Sequence, residues 1–247
     1  MKKLLLLSCV LLAATQVAVA NDIGIGYGFT SPIYHSKKNS YPLPLVNIEY
    51  DKFFIKGDNP YGLELGYNIL ERDNYVLSLY GVPFGGYDVK AKDMKSGYKT
   101  IDDRHTKIMG GVDFTYYPEF FNVVTSVSAE YGEKGGNLNL RVSKPYFITP
   151  RFTVIPTVTY TYYDSDFIDY YFGVEPHELN TENIRNTYDG KGASRYGIGV
   201  LGNYRLTTNL SITGFTGVSK LSDEIGDSPL SDKDVVFMLG SGIIYTF

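Results

Sequence analysis

The feature that most constrains the fold is a two-residue alternation of large apolar and small polar side chains. In 137–143 the odd positions are Asn, Asn, Arg and Ser, and the even positions are Leu, Leu and Val. In 152–162 the apolar positions alternate with a row of threonines, and Pro156 is expected to mark a bulge. Because side chains alternate between the two faces of a β-strand, this pattern predicts strands. Twelve are predicted, near 22–29, 44–50, 53–57, 61–70, 75–88, 104–116, 121–131, 137–147, 152–163, 194–204, 210–219 and 234–247.

The links between these strands differ in length according to their order. Links after odd strands are 30–43, 58–60, 89–103, 132–136, 164–193 and 220–233, and every long link is among them. Links after even strands are tight turns, near 51–52, 71–74, 117–120, 148–151 and 205–209. Outer-membrane barrels show this asymmetry between short periplasmic turns and longer extracellular loops. The sequence therefore predicts an all-β, transmembrane antiparallel up-and-down β-barrel of about twelve strands, with both termini in the periplasm. A secreted antiparallel protein with one solvated face is the alternative.

The N-terminus predicts export. Lys2 and Lys3 precede an apolar run over 4–14, and small residues at 18–20 suit a signal peptidase. We expect a signal peptide over 1–20 and a barrel domain over 21–247, in the outer membrane of a Gram-negative bacterium. Loss of the two lysines lowers Lys+Arg from 23 to 21 against 27 Asp+Glu and changes the net charge from −4 to −6. This acidic balance argues against a nucleic-acid partner.

The two strand faces predict what each side of the barrel contacts. The face rich in Tyr and Phe suits lipid and its interfaces, so outer-membrane lipid and lipopolysaccharide are expected partners. The Gly, Ser, Thr and Asn face suits a wet lumen, in which Glu64, Glu130 and Arg141 are the predicted lumen-facing charges. The alternating segment that ends at Phe247 resembles the terminal strand that the barrel-assembly machinery recognises.

Three segments carry a family resemblance. Residues 160–174 (YTYYDSDFIDYYFGV), 221–230 (LSDEIGDSPL) and the pair PIYHS at 32–36 with PLP at 42–44 resemble motifs of the MipA/OmpV outer-membrane proteins. No Gly precedes Ser36, and Phe167 stands where Tyr is usual. The resemblance implies an outer-membrane location. It also implies a scaffold role, since one member is described as joining a lytic transglycosylase to a peptidoglycan synthase.

The motif loops supply the candidate interaction residues. Apolar residues recur with helical spacing in 164–174, which predicts a short helix that either binds a partner or plugs the barrel mouth. Calcium binding by the loop acids is weighed against solvated loops, which are favoured because an EF-hand's glycine and terminal Glu are absent. The candidates are Asp164, Asp166, Phe167, Asp169, Tyr170, Tyr171, Phe172, Asp227, Ser228 and Pro229.

We expect no catalytic residues, no metal and no cofactor. His35, His105 and His177 belong to three different loops and lack metal-site spacing, so surface histidines are the favoured interpretation. The family resemblance implies a non-enzymatic scaffold. A narrow porin-like channel and a surface adhesin are the alternatives.

Overall fold

A computed structural model describes residues 21–37, 39–59, 62–118 and 122–247. The predicted signal peptide at 1–20 lies outside the described residues. Within them the strands are β1 Asp22–Thr30, β2 Ser40–Tyr50, β3 Phe53–Asn59, β4 Gly62–Arg72, β5 Tyr75–Gly85, β6 Lys107–Tyr116, β7 Val124–Gly132, β8 Gly135–Ser143, β9 Tyr146–Thr149, β10 Phe152–Tyr163, β11 Ala193–Arg205, β12 Leu210–Leu221 and β13 Val235–Thr246. The α-helices are α1 Ser165–Phe172 and α2 Asp223–Gly226, and 3-10 turns cover Ala91–Asp93 and Pro176–Glu178.

The strands form one closed antiparallel sheet. Apart from β8 and β9, each strand pairs with its neighbour in the chain, and β1 pairs with β13 through Ile25 and Ile243. β8 and β9 both pair with β10, so they are two pieces of one interrupted strand. The architecture is thus a twelve-stranded barrel, as predicted. The last strand ends one residue earlier than expected, although the Phe247 N–H still donates to the Asn21 carbonyl at 3.0 Å.

The predicted bulge at Pro156 is wrong. The β10–β11 register passes without a shift through Pro156 and Val200. The pairing on the other side of β10 is interrupted instead, since β8 ends at Ser143 and β9 begins at Tyr146. The Pro156 carbonyl accepts from Lys144 N at 3.1 Å, so the proline nitrogen points to this same side. The neighbouring strand therefore breaks where the proline offers no N–H donor.

The two faces are sorted as the alternation predicts. The outer face is apolar and exposed, as Ile25 (70% exposed) and Phe237 (61%) illustrate. Thr157, Thr159 and Thr161 are buried on the inner wall. None of the helices in the described ranges has both the length and the apolar character needed to cross a membrane.

One sector of the inner wall is apolar, which the sequence analysis did not predict. Leu43, Leu45 and Ile244 are buried together, and Phe215 packs against them. They fill space left by glycines on β1 and β13: a Cβ on Gly242 would lie 2.6 Å from Leu45 Cδ1. The small residues at these positions therefore make room for apolar side chains from β2 and β12.

The long links gather at one end of the barrel. They cover 31–39, 86–106, 164–192 and 222–234 and all follow odd strands in barrel order, in agreement with the sequence analysis. At the opposite end the turns at 51–52, 73–74, 150–151 and 206–209 are tight. The predicted helix is present as α1, directly after β10.

Candidate functional site

Helix α1 starts where a carboxylate caps it. Asp164 Oδ1 accepts from the Phe167 N–H at 2.8 Å, the usual role of an N-cap side chain. The second oxygen accepts from the Gly136 N–H at 2.7 Å, which ties the helix to β8. Gly135, beside it, has φ +84°, and a Cβ there would lie 2.4 Å from the Phe167 nitrogen. Glycine is required because the helix start and the β7–β8 link approach so closely.

The aromatic residues of α1 enter a buried cluster, the outer-loop core, built mainly of Tyr34, Tyr87, Phe167, Tyr171 and Phe172. Tyr34 stacks on Phe172 with ring centroids 4.9 Å apart. Tyr87 meets Phe167, Tyr171 and Phe172 edge-to-face. Phe167, Tyr171 and Phe172 are each 1% exposed. The helix therefore packs its aromatic face into the barrel mouth, between loops from both sides.

Hydroxyl groups connect the outer-loop core to the surrounding backbone. Tyr171 Oη donates to the His105 carbonyl at 3.2 Å, and Tyr34 Oη donates to the Tyr171 carbonyl at 3.3 Å. Burial raises the pKa of both phenols, so they remain neutral donors. Buried tyrosines normally find such partners, and here the partners fix one loop against another.

The second motif supports the same helix from the other side. Ser228 is buried, and its hydroxyl donates to the Phe172 carbonyl at 2.6 Å, near the end of α1. The same oxygen accepts from the Leu230 N–H at 3.2 Å. Asp227 is exposed and Pro229 is half-buried. Of these three candidates, Ser228 thus has a clear packing role.

An ion pair that sequence reasoning missed lies beside the end of α1, where Arg104 Nη2 also donates to the Gly173 carbonyl at 3.3 Å. Arg104 Nη2 lies 2.7 Å and 3.0 Å from the two carboxylate oxygens of Glu178, which is fully buried. Backbone N–H groups of Asp102 and Glu175 also donate to this carboxylate, at 2.7 and 2.9 Å. Arg104 and Glu178 are 74 residues apart in the chain, so no local sequence pattern indicates that they pair. The pair joins the loop at 86–106 to the loop at 164–192.

The loop acids are occupied by backbone donors rather than arranged around an open cation site. Asp164 caps α1, and Asp169 Oδ1 accepts from the Gly190 N–H at 2.8 Å. Asp166 is exposed. Asp102, His177 and Glu178 do place possible ligand atoms within 4.8 Å of one another. The Glu178 oxygens, however, already accept from Arg104 and two N–H groups, so this cluster fits an ion pair better than a metal.

The pKa values of two loop histidines are shifted in opposite directions. His177 Nε2 lies 2.9 Å from Asp102, and this hydrogen bond raises the pKa of the exposed imidazole. His35 lies 2.9 Å from Asp232, yet its pKa is lowered. Burial is the largest cause, and Lys95, which also pairs with Asp232, adds to it. The favourable contact with Asp232 therefore does not compensate for the desolvation of His35.

The predicted lumen charges lie on inner rows of the sheet. Glu130 is 5% exposed and accepts from Tyr80 Oη at 2.9 Å and Asn137 Nδ2 at 3.1 Å. Glu64 and Arg141 are half-buried, and each is followed or preceded by an exposed leucine, Leu65 and Leu140 respectively. The inner wall thus combines a charged, hydroxyl-rich sector with the apolar sector described above.

Comparison with known proteins identifies the family of the chain. Residues 23–247 match the family model described as MltA-interacting protein MipA. The chain is 29% identical to a 24 kDa outer membrane protein of Pasteurella multocida over 98% of each chain. It is 26% identical to the MltA-interacting protein of Escherichia coli K12 over 100% of each. A solved NanC porin is similar in fold, with 14% identity, a TM-score of 0.49, and coverage of 92% of this chain and 100% of the porin. The chain therefore belongs to the MipA family and is a β-barrel of the Gram-negative outer membrane.

Proposed function

We propose that the protein is a non-enzymatic scaffold that brings a lytic transglycosylase together with a peptidoglycan synthase at the outer membrane. The observation that carries the proposal is the family match over the whole barrel, together with the printed name of the E. coli relative, MltA-interacting protein. The names of the relatives describe interaction and outer-membrane proteins and indicate no catalytic family. A scaffold needs surfaces rather than a reaction site.

The structure bears on which surface a partner would use. Phe167, Tyr171 and Phe172 of α1 are buried in the outer-loop core, and Tyr170 packs against it half-buried. Periplasmic enzymes reach only the opposite rim, where the turns and the termini lie. The proposed docking surface is accordingly the periplasmic rim, while the family motifs act in folding the outer loops. The same burial gives no support to an adhesin that binds through these aromatic side chains.

Purified components test the proposal. The full barrel, folded in detergent and immobilised, should retain a purified lytic transglycosylase and a purified peptidoglycan synthase, and should retain the two together from a mixture. An unrelated barrel of similar size serves as the control. Retention no greater than on that control barrel, for both enzymes, would contradict the scaffold role.

A narrow channel is the second candidate function, and two buried hydroxyls of the inner wall favour it. Ser143 and Thr157 are 2% and 3% exposed, and their hydroxyl oxygens have no hydrogen-bond partner within the described chain. These residues face each other across β8 and β10. Buried hydroxyls of this kind are usually satisfied by water. Planar-bilayer recordings of the full barrel and of a variant with a short linker in place of 164–192 test this candidate. A hydrated channel conducts in at least one of the two proteins, whereas a closed barrel conducts in neither.

A further inference from the structure

Two lysines, the rim lysine pair, lie close together at the extracellular end of the barrel wall. Lys107 begins β6, and Lys134 lies in the two-residue turn between β7 and β8. Their ammonium groups lie 5.7 and 5.2 Å from the ring centroid of Tyr170 on α1. Both also contact the Glu133 carboxylate, at 3.2 and 3.5 Å. One aromatic ring and one carboxylate thus hold both cations at the same part of the rim.

The charge of this cluster is positive. Within the part of the chain that the structure describes, Glu133 is the only acid at ion-pair distance from either lysine. The hydrogen bond from Lys107 is the largest cause that lowers the pKa of the exposed Glu133 carboxyl, so this group is ionised at neutral pH. One carboxylate cannot neutralise two ammonium groups. The three side chains together therefore carry a net positive charge.

The lipid-facing wall beside the rim lysine pair contains a gap, the glycine notch, formed by Gly81 and Gly110. These glycines pair across β5 and β6. They face outward, because each is two residues from an exposed apolar side chain of the outer face, Leu79 or Val112. A Cβ on Gly110 would find no described atom within 4 Å, and a Cβ on Gly81 would find only the Met109 carbonyl oxygen, at 3.9 Å. The notch is therefore open toward the lipid.

Exposed apolar side chains border the notch on the side of the lysines. Ile108 precedes Gly110 by two residues on β6 and is 77% exposed, and Tyr131 pairs with Gly110 across β7 and is 63% exposed. The Tyr131 ring covers Gly136 instead of the notch, since a Cβ on Gly136 would lie 2.6 Å from Tyr131 Cδ2. Three residues of β6, about 10 Å of strand, separate the backbone of Lys107 from Gly110. A positive rim and an apolar gap are thus neighbours on one strand.

We infer that the rim lysine pair and the glycine notch bind one molecule of lipid A, the phosphorylated and acylated anchor of lipopolysaccharide. The site lies at the extracellular end of the strands, beside the leaflet that contains lipopolysaccharide. The lysines bind a lipid A phosphate, because basic side chains at a membrane surface attract anionic headgroups. An acyl chain fills the notch, because an unfilled gap loses dispersion contacts. This lipid site is independent of the scaffold proposal.

Removal of the two charges tests the phosphate contact. The barrel is folded from denaturant in a neutral detergent, so that it carries no lipopolysaccharide, and native mass spectrometry follows its titration with purified bisphosphorylated lipid A. Lys107→Gln with Lys134→Gln should bind about tenfold or more weakly than the wild type. Lys99→Gln with Lys233→Gln, two exposed lysines of the outer loops, should bind as the wild type does. Dephosphorylated lipid A should bind the wild type as weakly as bisphosphorylated lipid A binds the Lys107/Lys134 variant.

Filling the notch tests the acyl-chain contact. Gly110→Leu places a side chain where the lipid chain should lie and should weaken the binding of lipid A severalfold. The matched control is Gly214→Leu on β12, two residues from the exposed Ile212, where an added Cβ would meet only the Gly240 carbonyl oxygen, at 3.7 Å. This control should bind lipid A as the wild type does. Heat-modifiable gel migration verifies that each variant is a folded barrel.

Four results would overturn the lipid A site. The first is equal binding by the wild type and the Lys107/Lys134 variant, and the second is an equal loss in the Lys99/Lys233 control. The third is binding of phosphatidylglycerol as tight as that of lipid A, because any anionic lipid would then suffice. The fourth is displacement of lipid A by inorganic phosphate together with unchanged binding by Gly110→Leu, because the lysines would then bind a phosphate without its lipid. None of these measurements contains an enzyme, so they leave the scaffold proposal unaffected.

Discussion

Substitution of Glu178 by Gln should open the outer loops without unfolding the barrel. The change keeps the side-chain shape and one acceptor oxygen, but it leaves the Arg104 guanidinium, 7% exposed, without its buried counter-charge. It also weakens the acceptor for the Asp102 and Glu175 N–H groups. Removing one member of a buried ion pair typically costs about 3–5 kcal/mol. The backbone hydrogen bonds between the strands do not depend on this ion pair, so the loss of stability is confined to the loops that the pair joins.

Hydrogen exchange measures this local cost. At about 1.4 kcal/mol per tenfold, amides in 86–106 and 164–192 should exchange roughly a hundred- to a few-thousand-fold faster, up to the limit set by their original local stability. Glu133→Gln is the control, because its ion pairs with Lys107 and Lys134 are exposed and contribute little. Unchanged exchange in both loops of the Glu178 variant would show that the ion pair does not hold the two loops together. Replacing both members by methionine should restore part of the protection, because no buried charge is then left unpaired.

Three further results are expected. In proton NMR titrations of single-histidine variants, His35 should titrate below 6.5 and His177 above it, and Asp102→Asn should return His177 toward 6.5. Because the pKa of His35 is lowered in the folded loop, the unfolded loop binds the proton more readily, so His35 lowers the stability as pH falls below 6.5. Because the pKa of His177 is raised in the folded loop, its contribution to stability is fully present below 6.5 and is lost as pH rises through the folded pKa. Gly135→Ala should lower the melting temperature, because a non-glycine residue at positive φ costs about 1–3 kcal/mol and its Cβ would meet α1. Gly110→Ala is the control and should leave the melting temperature unchanged, because no atom lies within 4 Å of the added Cβ.

Two results would contradict these expectations. Equal titration midpoints for the two histidines would show that their environments do not differ in solution. Equal melting temperatures for the two alanine variants would mean that the close approach of α1 to the β7–β8 link is not required for stability.

The barrel could be predicted because its causes are local in the chain. Period-two alternation reports which face of a strand meets lipid, and loop lengths report which end of the barrel each link occupies. Helix α1 was predictable for the same reason, since Phe167, Ile168, Tyr171 and Phe172 follow helical spacing. A bulge was predicted where the neighbouring strand is instead interrupted, because the effect of Pro156 depends on its partner across the sheet.

The arrangement of the loops could not be predicted because it depends on contacts distant in sequence. Arg104 and Glu178 are joined across two loops, and Tyr34 meets Phe172 across 138 positions of chain. No periodicity encodes such pairs. The interruption between β8 and β9 was missed for a similar reason: a strand of four residues next to a longer one reads as a single strand until its partners are known.

Site-specific photocrosslinking in intact cells tests the periplasmic scaffold most directly. A photoreactive amino acid is placed at Arg151, on the rim, or at Asp166, exposed on α1. We expect crosslinks to a lytic transglycosylase or a peptidoglycan synthase from position 151 and none from position 166. Crosslinks to these enzymes from position 166 alone, or from neither position in cells that contain both enzymes, would contradict the periplasmic scaffold.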